Sequence, residues 1–322
     1  MKAAIISVSD KTGILPLAKK LSDKGYLLLS TGGTEKIISE AGIPVTKVEN
    51  LTKFPECLGG RVKTLHPKIF AGVLARRNIE NDMEFLNEQE IPEIEFVVVN
   101  LYPFKETIKR EGSTWEEAIE NIDIGGPSLL RAAAKNHETV SVLCDADDYE
   151  EVIERLGEGR IDAAFKKYLA AKAFTHTADY DSMISTYFVE ALAMEKTELK
   201  NIALGFERKQ SLRYGENPHQ KAAFFTSSYP QEYGIGKAEQ LQGKELSYNN
   251  IADASAAIDI LRDFADKPSV VSLKHQVPCG IGSAETIEEA FHLAYESDPV
   301  SIFGGIIAAN RTVTKEMALE AK

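Results

Sequence analysis

Residues 3–34 read AAIISVSDKTGILPLAKKLSDKGYLLLSTGGT, and this stretch decides the fold. Residues 3–8 are a short apolar run of strand length. Residues 12–24 then carry Ile14, Leu15, Leu17, Ala18 and Leu21 at helical spacing, and Gly25 stops them. A second apolar run covers 26–30, Thr31-Gly32-Gly33-Thr34 makes a turn, and a short helix continues to Gly42 as its C′ glycine. Strand, helix, strand, helix is the pattern of right-handed βαβ units. It predicts an α/β domain with a doubly wound, mostly parallel sheet and a ligand crevice beyond the carboxyl ends of the strands.

The pattern continues outward. Residues 43–48 read as a third strand, 95–100 (EFVVVN) as the strongest strand and 139–144 as another. Helices are expected at 115–121, 127–136 and 148–156, and 161–195 is largely helical. A polar stretch from Lys196 to Lys200 suggests a break near 197. That divides the chain into a domain at 1–197 and a second region at 198–322. The second region holds RYGENPHQ at 213–220, an apolar strand at 269–273 and SDPVSIFGGIIAANR at 297–311. Its last helix, from Thr314, runs to Lys322 without a stop signal, so this domain is expected to continue beyond the chain.

With 322 residues, the chain suits two domains. Hydrophobic residues at 43% and charged residues at 27% fit a soluble globular protein. The apolar start is too short for a signal peptide, and no stretch approaches the roughly 20 apolar residues of a membrane span. A net charge of −12 argues against a nucleic-acid polymer as partner, because polyanions repel. It also gives local basic clusters more meaning, since they suit one small anionic ligand. Cys57, Cys144 and Cys279 lie far apart with no CxxC pairing, so no metal is expected and a reduced cytoplasmic setting is the default.

The loops after the strands carry the chemistry. Ser9-Asp10-Lys11-Thr12 brings hydroxyls, an ammonium and helix N–H groups together, which suits a phosphate. Thr31-Gly32-Gly33-Thr34 lets backbone N–H groups approach an anion. Both loops also read as ordinary helix capping by Asp10 and Thr34. Two such loops on successive strands favour the functional reading. Residues 59–67 (GGRVKTLHP) hold Arg61 and Lys63 beside Thr64, where Arg grips phosphate by two bonds and Lys acts as a point charge; a solvated basic loop is the plainer reading. His66, before Pro67, reads as structural. Asn100, ahead of Leu101-Tyr102-Pro103, sits where a side chain meets the crevice, and equally suits a turn. Asp123-Ile124-Gly125-Gly126-Pro127 opens a helix, where Asp123 also serves the helix dipole. Arg131 and Lys135 share a face of that helix. In the second region, Lys274-His275 follows an apolar strand and suits an electrophile-plus-base pair, provided that the chain bends there.

Taken together, SVSDKTG (7–13), STGGT (30–34), LGGRVKTLHP (58–67), NLYPF (100–104), DIGGPSLLRAAAKNH (123–137), RYGENPHQ (213–220) and the KH–PCG segment (274–280) closely resemble the bifunctional purine-biosynthesis enzymes. Those enzymes combine IMP cyclohydrolase with AICAR formyltransferase. The resemblance implies a methylglyoxal-synthase-like first domain that closes the ring of formamido-imidazole-carboxamide ribotide (FAICAR), giving IMP and water without a cofactor. It implies a nucleotide site lined by Ser9, Asp10, Lys11 and Thr12, by Thr31, Gly32, Gly33 and Thr34, and by Arg61, Lys63 and Thr64. Asn100, Leu101 and Tyr102 belong to it too, as do Asp123, Ile124, Gly125 and Gly126. The family's catalytic lysine falls on Lys135. A lysine acting as acid and base needs burial or neighbouring cations to bring its pKa down from about 10.

For 198–322 the resemblance implies an incomplete α/β, cytidine-deaminase-like transformylase domain. Arg213, Tyr214 and Gly304 would touch AICAR, His275 would be the base and Lys274 would stabilise formyl transfer from 10-formyltetrahydrofolate. Val277 stands where the family often has Asn before the proline. The family also implies a cytoplasmic homodimer. Because its transformylase continues well beyond Lys322, cyclohydrolase activity is expected of this chain and little or no transformylase activity. Two rival readings are a non-catalytic phosphate-ester sensor and a methylglyoxal synthase, both on the same fold. The joint presence of Asn100, Asp123 and Lys135 argues against the sensor. The RVKTLHP and DIGG segments and the second domain argue against the synthase.

Overall fold

The computed structural model describes residues 1–230 and 233–322. They form two compact units, Met1–Gly205 and Phe206–Lys322. The division lies past the break expected near 197: residues 200–204 are exposed, and Gly205 at their end comes close to the helix Ala163–Ala191 of the first unit. A Cβ on Gly205 would lie 2.2 Å from the Asp179 carboxylate and 2.4 Å from the Ser182 hydroxyl.

The first unit is built on strands β1 (Lys2–Val8), β2 (Leu27–Ser30), β3 (Thr46–Lys47), β4 (Glu93–Asn100) and β5 (Ser141–Leu143). They are ordered β3-β2-β1-β4-β5, and all pair in parallel. Ala3 to Ile6 and Phe96 to Val99 are buried without alternation, because helices cover both faces. The helices are α1 (Ile14–Asp23), α2 (Gly32–Glu40), α3 (Val48–Thr52), α4 (Pro67–Leu74), α5 (Glu80–Glu88), α6 (Phe104–Lys109), α7 (Trp115–Glu120), α8 (Gly125–Lys135), α9 (Tyr149–Glu158) and α10 (Ala163–Ala191). Helix α1 packs beside α9, while α8 packs against α4 and α10. Right-handed crossovers put the helices after β1 and β2 on one face and those leading to β4 and β5 on the other. The doubly wound parallel sheet is the one expected.

Local differences have physical causes. The strand expected at 43–48 shrinks to two residues at the sheet edge, since Pro44 has no N–H to pair and Val48 turns inward to start α3. Helix α1 begins at Ile14 rather than 12, because Gly13 holds a left-handed φ of 69° and Pro16 falls in the first turn, where no N–H is needed. Helix α8 begins at Gly125, with Pro127 likewise in its first turn. The 161–195 stretch is one helix of 29 residues, capped where Asp162 accepts the Phe165 N–H at 2.8 Å. Helices α4 and α5 had no counterpart in the sequence reading.

The second unit has a two-stranded ribbon, β6 (Phe206–Leu212) with β7 (Ala222–Ser227), and a three-stranded antiparallel sheet. That sheet is ordered β10-β8-β9, from β8 (Ser269–Lys274), β9 (Val277–Ser283) and β10 (Ile306–Ala309). Helix α11 (Tyr248–Arg262) brings Ala257 and Leu261 to Val271 and Leu273. On the other face Val270 meets Ala290, Phe291 and Ala294 of α12 (Ile287–Ser297) and Met317 of α13 (Lys315–Glu320). Helix α12 lies directly on the β9 backbone. A Cβ on Gly280 would sit 2.0 Å from the Ala294 carbonyl, and one on Gly282 2.1 Å from that of Ala290. Among the described residues, no helix is long and apolar enough to cross a membrane.

Candidate active site

The strand order reverses between β1 and β4, where an open α/β sheet presents its crevice. Asn100, at the carboxyl end of β4, stitches this point shut. Its amide oxygen accepts the N–H groups of Ser9 and Asp10, and its NH2 donates to the Asp10 carbonyl at 3.0 Å. The Ser9 hydroxyl has one proton, so it donates to the Leu101 carbonyl at 2.6 Å or to Asn100 Oδ1 at 2.8 Å. Asn100 therefore holds the first loop; most of its hydrogen-bonding capacity is already engaged.

Asp10 and Thr12 face each other instead of the crevice. The Asp10 carboxylate accepts the Thr12 N–H at 2.9 Å and its hydroxyl at 2.7 Å, and these bonds hold its pKa below the ordinary carboxylate value. The Lys11 ammonium folds back on the carbonyls of Val8 and Ser9, and burial lowers its pKa. Thr34 is 3% exposed and doubly bonded to Val8, accepting its N–H at 3.2 Å and donating to its carbonyl at 2.9 Å. It pins the start of α2 to β1, a tie between segments and not a helix cap. The N–H groups that open α2 at Gly32 and Gly33 have no partner within the helix, which is the arrangement that suits an anion. A Cβ at Gly33 would meet nothing within 4 Å.

The opposite wall is the 57–64 loop. Leu58, Gly59 and Gly60 are left-handed in succession (φ 54°, 65° and 94°), and Cys57 pairs with Val62 across them. The Arg61 guanidinium is bidentate on Glu120 at the end of α7, with Nε 3.3 Å from Oε1. This pairing raises the pKa of Arg61 and lowers that of Glu120. The Lys63 ammonium lies 3.3 Å from the Glu56 carboxylate. Both cations read as phosphate ligands thus have glutamate partners. Thr64 is buried against the start of α8, where a Cβ on Gly125 would come within 3.3 Å of its hydroxyl. His66 accepts the Lys68 N–H at 3.2 Å and caps α4, the structural part expected of it.

Asp123 closes the far end. Its carboxylate accepts the Gly126 N–H at 2.8 Å. Burial raises its pKa, against the lowering effect of amides from Gly126, Tyr102 and Gly125. Only glycine fits at 126, because a Cβ there would lie 2.4 Å from Asp123 Oδ2 and 2.8 Å from Leu101 Cδ2.

These elements enclose a cleft of about 480 Å³. Of the residues expected, Ser9, Lys11, Thr31 to Thr34, Arg61, Lys63, Thr64, Asn100, Tyr102 and Asp123 to Gly126 line it. Asp10, Thr12 and Leu101 do not; Leu101 is buried behind Gly126. Lys135 is also absent from the wall, which corrects its expected place in this cleft. It is exposed at the C-terminal end of α8, while Gly125 at the other end touches the cleft. Ten residues of helix separate the two, a rise of about 15 Å. Glu120 was missed, since nothing local indicates that it faces a guanidinium 59 residues earlier. Tyr180 of α10, which accepts the Asp123 N–H at 2.8 Å, was missed as well.

In the second unit, His275 and Gln276 form a two-residue hairpin turn between the paired Lys274 and Val277. Both are left-handed, with φ of 55° and 63°. This is the bend that lets neighbours Lys274 and His275 serve one site. Asp253 of α11 accepts the Gln276 N–H at 2.8 Å, and Lys274 donates to the Phe303 carbonyl at 3.1 Å, next to Gly304. Lys274, His275 and the Gly304 loop are thus gathered together. Arg213 and Tyr214 leave the β6 ribbon with the guanidinium 5.7 Å from the ring centroid, and Val277 is 64% exposed.

Comparison with known proteins agrees with this architecture. Residues 13–128 match the MGS-like domain, and residues 133–322 match the AICARFT/IMPCHase bienzyme family. The bifunctional purine biosynthesis protein PurH of Halalkalibacterium halodurans is 53% identical over 322 residues, covering 100% of this chain and 62% of that protein. PurH of Bacillus subtilis is 52% identical, covering 99% of this chain and 62% of that protein. The chain therefore spans about three-fifths of the length of these relatives. A crystal structure of ForH superposes with a TM-score of 0.52 at 37% identity, covering 58% of this chain and 98% of that one. Fold, motifs and family match coincide, and the chain belongs to the AICARFT/IMPCHase bienzyme family.

Proposed function

We propose that the first unit is an IMP cyclohydrolase, which closes FAICAR to IMP in the cleft between β1, β4 and the 57–64 loop. The observation that carries this reading is the pairing, in one cleft, of an anion seat at the start of α2 with the partly buried Asp123 carboxylate. The 5′-phosphate takes the α2 seat, and Ser9 and Lys11 flank it. The base end reaches Tyr102, Lys63, Thr64 and Asp123.

Ring closure joins the carboxamide nitrogen to the formyl carbon. The carboxamide nitrogen gives up one proton as it bonds to the formyl carbon, and the carbonyl oxygen becomes a carbinolamine hydroxyl. That hydroxyl then gains a proton and leaves as water, while the former formamide N–H gives up its proton and a C=N bond forms. Holding both arms of one molecule in contact supplies much of the acceleration. Asp123, its pKa raised by burial, receives the nitrogen proton, and the Lys63 ammonium serves the departing oxygen. The resemblance gives the acid/base part to Lys135. Since Lys135 lies outside the cleft of this chain, the direct proton transfers are assigned here to Asp123 and Lys63.

The same reading gives the second unit the AICAR transformylase part. His275 is the base, Lys274 the electrophile, Arg213, Tyr214 and Gly304 bind the nucleotide, and 10-formyltetrahydrofolate is the formyl donor. A cytoplasmic homodimer belongs to the same proposal.

The test is incubation of the purified chain with FAICAR, following IMP by absorbance, alongside dihydroxyacetone phosphate to expose a methylglyoxal synthase. IMP formation without methylglyoxal is expected. Tight binding with no turnover of either compound would make the unit a sensor. Asp123→Asn and Lys63→Met are expected to lower turnover by about 100-fold or more. Full turnover in both, with loss in Lys135→Ala, would return the acid/base part to Lys135.

A further inference from the structure

The carboxylate assigned to the chemistry sits on a turn, residues 121–126, whose shape is set from outside the cleft. Tyr180, on the long helix α10, is 4% exposed and does not line the cleft. Its hydroxyl accepts the Asp123 N–H at 2.8 Å and donates to the Asn121 carbonyl at 3.1 Å. One phenol thus ties the two backbone groups on either side of Ile122. Burial pushes its pKa up to about 12, so it remains a neutral donor through the working range. Its ring packs edge-on against Phe104, with centroids 6.2 Å apart and planes at 70°. Phe104 in turn closes the Tyr102 turn, its N–H donating to the Tyr102 carbonyl at 2.8 Å. The amides that hold the Asp123 carboxylate come from both places, Tyr102 on one side and Gly125 and Gly126 on the other.

We propose that Tyr180 is a positioning residue for ring closure: it braces the 121–126 turn and the Phe104 end of the Tyr102 turn from behind, and so fixes the Asp123 carboxylate at the reacting end of the cleft. This rests on the cyclohydrolase reading for its chemical consequence, but the hold on Asp123 is a separate property. In this arrangement α10 is part of the active-site frame. A displacement of a reacting group by about 1 Å costs up to about 100-fold in rate, so a two-bond brace has room to matter.

Tyr180→Phe keeps the ring and its packing and removes only the two hydrogen bonds. The expected result is a kcat lower by about 10- to 30-fold with KM within about twofold, because the phosphate seat is untouched. The acid limb of the pH profile moves to higher pH, since a looser turn weakens the amide bonds that hold the Asp123 carboxyl down. Tyr187→Phe serves as control. Tyr187 lies on the same helix and also touches Phe104, with centroids 5.6 Å apart, and its substitution leaves kcat and the pH profile unchanged. The Asp123 carboxyl is titrated separately by NMR in the ligand-free chain, where Tyr180→Phe shifts it upward. If the wild-type chain fails to turn over FAICAR, the cyclohydrolase reading falls, and the titration alone decides whether Tyr180 holds Asp123. An unchanged titration, or a kcat and pH profile equal to wild type, overturns the proposal.

Discussion

The two walls of the cleft are held by different forces. On one, Asn100, Thr34 and Ser9 join segments 26 to 92 residues apart by hydrogen bonds; the two at Thr34 are buried, the Ser9–Leu101 bond is partly buried and those of Asn100 are exposed. On the other, the 57–64 loop runs through three left-handed residues and is fastened by the pairs Arg61–Glu120 and Lys63–Glu56. A buried hydrogen bond contributes about 1 kcal/mol, and removing one partner costs more because the other is left unsatisfied. An exposed ion pair contributes about 0–1 kcal/mol and weakens in salt. The first wall is therefore pre-formed, and the second is free to exchange its carboxylates for a ligand. The largest effects should come from cutting the first wall and the smallest from cutting the second.

Asn100→Leu is the most severe test. It removes the acceptor for Ser9 and Asp10 and the donor to Asp10 in one step. Urea unfolding should show a loss of about 1–3 kcal/mol, and calorimetry should show IMP binding weakened by about 100-fold or more. A loss under about 1 kcal/mol would break the contrast between the walls. Gly126→Ala comes next, because its methyl has no room beside Asp123 and Leu101. It should cost about 1–3 kcal/mol and lower turnover by about 100-fold. Gly33→Ala is its counterpart: the added methyl meets open space within α2. That variant should gain about 0.5 kcal/mol of stability yet bind nucleotide more weakly, since the methyl stands at the anion seat.

Asp123→Asn probes the end wall through pH. Burial raises the folded-state pKa of Asp123 above its unfolded value. Its contribution to stability is thus fully present below the unfolded pKa and is withdrawn as pH rises through the folded pKa. Melting curves should show wild type losing ground to Asp123→Asn as pH rises from the ordinary carboxylate range through the raised pKa of Asp123. Wild type gaining stability relative to Asp123→Asn as pH rises would contradict the assigned direction.

What was legible in the sequence follows the same division. The β1-α1-β2-α2 order and the 95–100 strand were readable because both depend on apolar periodicity, a local property. The turn at Gly32 and Gly33 was readable because two glycines after a strand favour a tight turn into a helix; the proposed phosphate seat rests on the free N–H groups there. The parts played by Asn100 and Thr34 were not readable, since their partners lie 90 and 26 residues away and one side chain suits a ligand or a loop equally well. Lys135 shows the limit of a motif. Most of its segment, DIGGPSLLRAAAKNH, is one continuous helix, Gly125–Lys135, so residues ten apart in one motif end up at opposite ends of it. Lys274-His275 shows the converse: the pair was suspect only because an extended chain separates neighbours, and a turn with two left-handed residues removes that objection.

The smallest expected effect belongs to Glu120. Its carboxylate occupies the Nε/Nη2 edge of Arg61 at the cleft wall and neutralises its charge, so an incoming anion and Glu120 compete for one guanidinium. Both side chains are more than half exposed, which limits what the pair adds to the fold. Glu120→Gln should change unfolding free energy by less than about 0.5 kcal/mol. It should nevertheless strengthen IMP binding by about two- to fivefold at low salt, because the competing charge is gone while Arg61 remains. The gain should shrink as ionic strength rises toward about 0.5 M, where charges farther apart than about 4 Å are screened. Arg61→Ala should weaken binding and erase the effect of Glu120→Gln in the double variant, since the two substitutions act on one contact. A destabilisation above about 2 kcal/mol in Glu120→Gln would mean that this wall is as firmly built as the other, and the distinction between them would fail.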